Sequence, residues 1–240
     1  CYALPCVLAW SIYLLAFWPG IMSQDSVDQW WQLLSGQFND QHPAFHTMTM
    51  WLLTRIRHTP AIVAIAQIVT LSAVAGEGFS LIRRLGTPRW LVWVGCLIFA
   101  LYPINGVWVV TLWKDIPYST AMLALTLLVL LIVTSEGTWL QHRRVWLLLG
   151  GVAALVALFR HNGVAAAFGT PVVLALVYRK YWRPLMYAFV LSIGLWLGIK
   201  GPVYQLIGVA PAGEFLLQHS VIHEVATYVA SGTPMSADEL

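Results

Sequence analysis

Charge is scarce in this chain. Only 10% of its 240 residues are Asp, Glu, Lys or Arg, against about 25% in an ordinary soluble domain. A conventional water-soluble globule is thereby excluded. The net charge of +3 is too small to be the electrostatic footprint of a nucleic-acid binder. Cysteine is scarce as well. Cys1, Cys6 and Cys96 lie in or beside apolar runs, with neither metal-ligand spacing nor a disulfide framework, and read as buried thiols. No internal repeat is visible. No small-residue cleavage site follows the first apolar run, so no cleavable signal peptide is read.

Apolar and aromatic residues are abundant. The chain is 59% hydrophobic with 13 Trp, and its mean hydropathy is +0.74. These are the marks of an integral membrane protein with wide interfacial Trp belts. A span needs roughly 17–25 mostly apolar residues. Runs near 2–18, 61–82, 90–105, 116–134, 145–160, 163–178 and 184–200 predict an all-α polytopic protein of about seven transmembrane helices. The run 44–58 is shorter and carries His46, Arg55 and Arg57 directly after Pro43. It predicts an interfacial helix, since Pro suits a first helical turn. Residues 1–200 form one transmembrane module, and 201–240 begin an extracytoplasmic tail. Cys1 stands inside an apolar run and Asp238-Glu239-Leu240 in a polar one, as expected of a piece of a longer protein.

Basic residues set the sidedness. Arg83, Arg84 and Arg89 share one loop; His142, Arg143 and Arg144 lie two spans on; Arg179, Lys180 and Arg183 two spans after that. Basic loops at every second connection mark the cytoplasmic side. The outer face then receives the loop 19–60 with Asp25 to His46, the segment Asn105 to Asp115, Arg160-His161-Asn162, and the tail after Lys200.

These outer clusters carry the candidate chemistry. Asp25 and Asp28, three apart, share a helix face if their segment is helical. One could be a general base; alternatively, Ser23 or Asp25 caps a helix through Leu34. Asp40, His42 and His46 spell D-x-H-P-x-x-H, a weak candidate set for a divalent metal, beside the plainer reading of solvated groups at a helix start. His42 is also a substrate-contacting candidate. Lys114 and Asp115 stand where an outer loop enters a span. Such an ion pair is costly unless partnered or functional, though a helix dipole would also favour Asp115. Arg160 either snorkels or holds a phosphate beside His161, and Gly163 opens the turn. Glu77 reads as the structural partner of Arg83 or Arg84. Gln218, His219 and His223 read as part of an amphipathic helix without assigned chemistry.

The motifs DSVDQ at 25–29, HPAFH at 42–46, WKD at 113–115 and RHNG at 160–163, with this topology, resemble a bacterial branch of the GT-C superfamily of membrane glycosyltransferases. The resemblance covers nearly all of the chain. It implies a GT-C-like core, a polyprenyl-phosphate-linked sugar donor, and a glycan, lipid or protein acceptor outside the bacterial plasma membrane. It implies Asp25 as base and Asp115 as the second-loop acid aiding donor or metal; Asp28 stays a further catalytic candidate from its spacing with Asp25. Lys114 and Arg160 would contact the donor phosphate. The sequence departs from better-known members in lacking a paired Asp-Glu in the first loop. The alternative from another class is a transporter or flippase for a lipid-linked or small polar substrate, which is expected to place ionisable groups at the membrane midplane.

Overall fold

The computed structural model describes residues 2–212, which form α-helices joined by short turns. In chain order these are α1 (Ala3–Ala16), α2 (Gln24–Ser35), α3 (Ala44–Thr54), α4 (Pro60–Arg84), α5 (Arg89–Leu101), α6 (Pro103–Val109), α7 (Asp115–Thr134), α8 (Arg143–Phe159), α9 (Val164–Val177), α10 (Trp182–Gly198) and α11 (Tyr204–Ile207). A π-helical turn, Ile199–Val203, links the last two.

Every apolar run expected from the sequence holds a helix. Fewer of them are long and apolar enough to cross a membrane alone. Pro60–Arg84, Asp115–Thr134 and the stretch Arg179–Ile207 are, and α5 with α6 makes a fourth if the 57° bend between them lies within one span. Ala3–Ala16 and His161–Val177 are apolar but shorter. These are the helices of a membrane protein. The bend has a local cause. Pro103 pushes Tyr102 out of the helical region, to ψ 117°, because the proline ring crowds the preceding residue.

The helices pack around two cores. One joins α1, α4, α5 and α6 with α2 and α3, around Trp10, Met50, Ile68 and Leu112. The other joins α7 to α10, around Leu125, Leu149, Ala157 and Leu185. Lys114 and Asp115 lie at the seam, where the first core ends and α7 begins. At the opposite end of the bundle Arg84 pairs with Glu77 at 3.9 Å, the structural pairing expected of that acid.

The loop between α1 and α4 contains α2 and α3. Ser23 Oγ accepts the Ser26 N–H and caps α2, so Ser23 rather than Asp25 is its cap. Gly36 at φ +73° ends α2 in the left-handed conformation. Asp40 Oδ1 accepts the Ala44 N–H at 2.9 Å, tying down the start of α3. The segment expected as an interfacial helix over 44–58 is helical from Ala44 to Thr54.

Candidate functional site

Two backbone bridges carry the first loop to its partners. Ile21 N–H donates to the Val110 carbonyl at 3.0 Å, and Leu112 N–H donates back to Ile21 at 2.8 Å. Gly20 makes this approach possible. Its φ is +126°, and a Cβ there would stand 2.9 Å from Leu112 Cδ1 and 3.3 Å from the Val110 carbonyl oxygen. From behind, Gln67 on α4 donates to the carbonyls of Val109 and Thr111, both at 2.8 Å. The second bridge joins Asn39 to Ala210. Asp40 N–H donates to Ala210 at 3.0 Å and Ala210 N–H to Phe38 at 2.9 Å.

The first bridge sets α2 beside residues 111–115, and Asp25 meets Lys114. Lys114 Nζ donates to Asp25 Oδ2 and, at 3.2 Å, to His42 Nδ1. Because His42 accepts through Nδ1, its neutral ring carries the proton on Nε2. The second bridge produces the same arrangement again. Lys200 Nζ donates to Asp40 Oδ2 at 2.8 Å and to His161 Nδ1 at 3.3 Å, while His161 Nε2 donates to the Asp40 carbonyl at 3.1 Å. Between these two Asp–Lys–His groups, Arg160 Nη1 donates to Asp115 Oδ1 and stacks over Tyr118, 5.5 Å from the ring centre.

The electrostatics follow from these contacts. Burial pushes the Asp25 carboxyl up, but the Lys114 hydrogen bond and the surrounding positive charge outweigh it and hold the group below its ordinary 3.8. Asp25 is therefore ionised at neutral pH. Burial, joined by the Lys114 charge, holds His42 below 6.5, although Asp25 and Asp28 pull the other way. The Arg160 side chain is 42% exposed, and with one nitrogen on Asp115 its other N–H groups remain open to a ligand.

The structure thus brings together Asp25, Lys114, His42, Asp115, Arg160 and His161. Asp28 stands apart. It is exposed, accepts the Gln32 side-chain N–H at 2.8 Å one turn along its own helix, and touches the cluster only through its field on His42. The metal set Asp40, His42 and His46 is pulled apart. Asp40 turns to Lys200, His42 to Lys114, and His46 to Gln29. His42 precedes Pro43 and lies outside α3, so the four-residue spacing never becomes one helix face. Among the described residues no three His, Cys, Asp or Glu side chains converge to hold a metal. Gln218, His219 and His223 lie outside the described residues.

His46 is 2% exposed. Its Nδ1 donates to Gln29 Oε1 at 2.9 Å, and Gln29 Nε2 donates on to Thr47 Oγ1 at 3.0 Å. Burial, with the charges of Lys114 and His42, pushes its pKa down to about 3, so the ring is neutral. An apolar groove of about 830 Å³ opens beside it, between α3, α4, α7 and α8, with Ile207 of α11 at its edge. The groove reaches the polar cluster through chain neighbours: Phe159 precedes Arg160, Pro117 follows Asp115, and Phe45 and His46 follow His42.

Lys200, Tyr204 and Gln29 escaped the sequence reading. Lys200 was legible only as a cation closing the last apolar run. Tyr204 Oη accepts the Phe45 N–H at 2.8 Å across 159 residues, a pairing with no local signal. Comparison with protein-family models, with curated proteins and with solved structures finds no match to this chain.

Proposed function

We propose that this protein is a membrane glycosyltransferase of the GT-C type, with about seven spans, working at the extracytoplasmic face of a bacterial plasma membrane. It moves a sugar from a polyprenyl-phosphate donor to an acceptor hydroxyl. One observation carries the reading: an ionised Asp25 held by Lys114, beside the Asp115–Arg160 pair, at the mouth of an apolar groove large enough for a lipid tail.

The donor phosphate binds the open face of Arg160 and the Lys114 ammonium by charge-assisted hydrogen bonds. Lys114 then shifts from Asp25 toward the phosphate. Losing that partner raises the Asp25 carboxylate's affinity for a proton. Asp25 takes the proton of the acceptor hydroxyl, whose oxygen attacks the anomeric carbon. The carbon–oxygen bond to the phosphate breaks, and the leaving phosphate keeps the electron pair, stabilised by Arg160 and Lys114. His42 and Asp115 hold the two cations in place, and His161 with Lys200 pins the loop that carries His42.

The test is mass spectrometry of lipid-linked sugars and surface glycans from cells with and without the intact gene, joined to transfer by purified protein. Accumulation of an unconsumed lipid-linked sugar with loss of one glycan is the expected result. Unchanged glycans, with movement of an unaltered lipid across proteoliposomes, would instead establish the transporter reading.

A further inference from the structure

The polar atoms lining the groove have their protons committed elsewhere. Thr49 donates to the Phe45 carbonyl, Thr70 to Ala66 and Thr120 to Ile116. Gln67 spends its amide protons on Val109 and Thr111, and its Oε1 is buried with no partner in a side chain 5% exposed. His46 gives its Nδ1 proton to Gln29, and no described group bonds its Nε2. Apart from the half-exposed Trp51, the polar side chains of this wall offer lone pairs and withhold protons.

A lone-pair wall selects its occupant. A phosphate or carboxylate brings further lone pairs and is rejected, because neither side supplies a proton. An ammonium finds no carboxylate in the groove and would be stranded in apolar surroundings. A neutral chain ending in a hydroxyl satisfies both sides. Its tail lies on Met50, Val63, Val152 and Leu155, and its O–H reaches an acceptor otherwise left unpaired.

We propose that the groove binds a neutral lipid alcohol, whose hydroxyl donates to His46 Nε2 while the Thr47–Gln29 chain fixes the ring in its Nδ1–H form. The neutrality of His46 agrees with this role, since a protonated ring would have no lone pair to offer. The inference goes beyond the glycosyltransferase reading and does not make this alcohol the acceptor, whose proton goes to Asp25.

The experiment uses the full chain in lipid nanodiscs with nitrogen-15-labelled histidine, titrated with farnesol, farnesyl methyl ether and farnesyl phosphate. Without ligand, His46 should show the Nδ1–H tautomer. Farnesol should shift its Nε2 resonance without changing the tautomer, and should bind about 3- to 10-fold tighter than the ether, the range expected of one hydrogen bond. His46→Phe should bind alcohol and ether alike, and Gln29→Leu should lose part of the discrimination. An Nε2–H tautomer in the free protein would overturn the proposal. So would equal binding of alcohol and ether to the unaltered chain, or an equal shift of the Nε2 resonance by farnesyl phosphate, whose head group is expected at Arg160 and Lys114 and not at His46. None of these results would touch the glycosyltransferase reading, which is decided separately by sugar transfer and surface glycans.

Discussion

Asp25 and Lys114 are 89 residues apart in the chain and meet at the site. Nothing local drives that meeting. It depends on the backbone exchange between Ile21 and residues 110–112, and on Gly20, which lets the two segments close.

Replacing Asp25 by Asn keeps the side chain's shape and removes its capacity to take a proton. Sugar transfer should fall on the order of 10²–10⁴-fold, with donor binding largely retained. Binding and transfer are measured separately on purified protein. Near-normal transfer would remove Asp25 from the role of base.

Arg160 and Asp115 should behave as a unit. Arg160→Gln weakens donor binding as well as turnover, because it withdraws charge from the phosphate. In a double-mutant cycle with Asp115→Asn, a coupling of about 0.5–3 kcal/mol in donor binding is expected for residues in contact. Simple additivity would mean that the pair does not act together.

The acid limb of the pH profile should belong to His42. Its pKa in the folded protein lies below 6.5, so unfolded chains take up the proton first as pH falls. The contribution of the neutral ring is complete above 6.5 and is lost on descending through the lowered value, when a second cation forms beside Lys114. Asp25, also lowered, stays ionised over that window. Transfer by His42→Gln should therefore show a flatter acid limb. An unchanged limb in this variant would assign it elsewhere.

Two glycines should be intolerant where a third is not. In Gly20→Ala the new Cβ meets Leu112 at 2.9 Å with φ at +126°, and in Gly163→Ala it would stand 2.2 Å from the Val156 carbonyl oxygen. Each should cost about 1–3 kcal/mol or more and lower the melting temperature followed by tryptophan fluorescence. Gly151→Ala, inside α8 with nothing within 4 Å, should be neutral or stabilising.

Sidedness is testable by labelling. A membrane-impermeant thiol reagent added outside cells should modify Gln41→Cys and miss Gln141→Cys; both positions are exposed in the fold. The reverse pattern would invert the proposed topology.

The helices were legible because apolar runs and prolines are local signals. The runs 61–82 and 116–134 became Pro60–Arg84 and Asp115–Thr134, while the run 90–105, read as one span, is bent at Pro103. The spacing of His42 and His46 misled, because Pro43 starts the helix between them and removes His42 from it. The convergence of Asp25, Lys114, Asp115 and Arg160 on one end was visible as topology. Which acid pairs with which cation was not, since that is decided by the bridges at Ile21 and Asn39. Lys200 and Tyr204 were hidden for the same reason: their partners lie about 160 residues away.

The three ion pairs at this end have a consequence for how a substrate arrives. Asp25, Asp40 and Asp115 balance Lys114, Lys200 and Arg160 one for one. With His42 uncharged, these three pairs add no surplus of either sign, so they cast little field into the surrounding water. Long-range attraction of an anionic lipid, which speeds association at strongly charged sites and fades with salt, is then absent. Encounter must come from diffusion within the plane of the bilayer, and its rate should change little between low and high ionic strength.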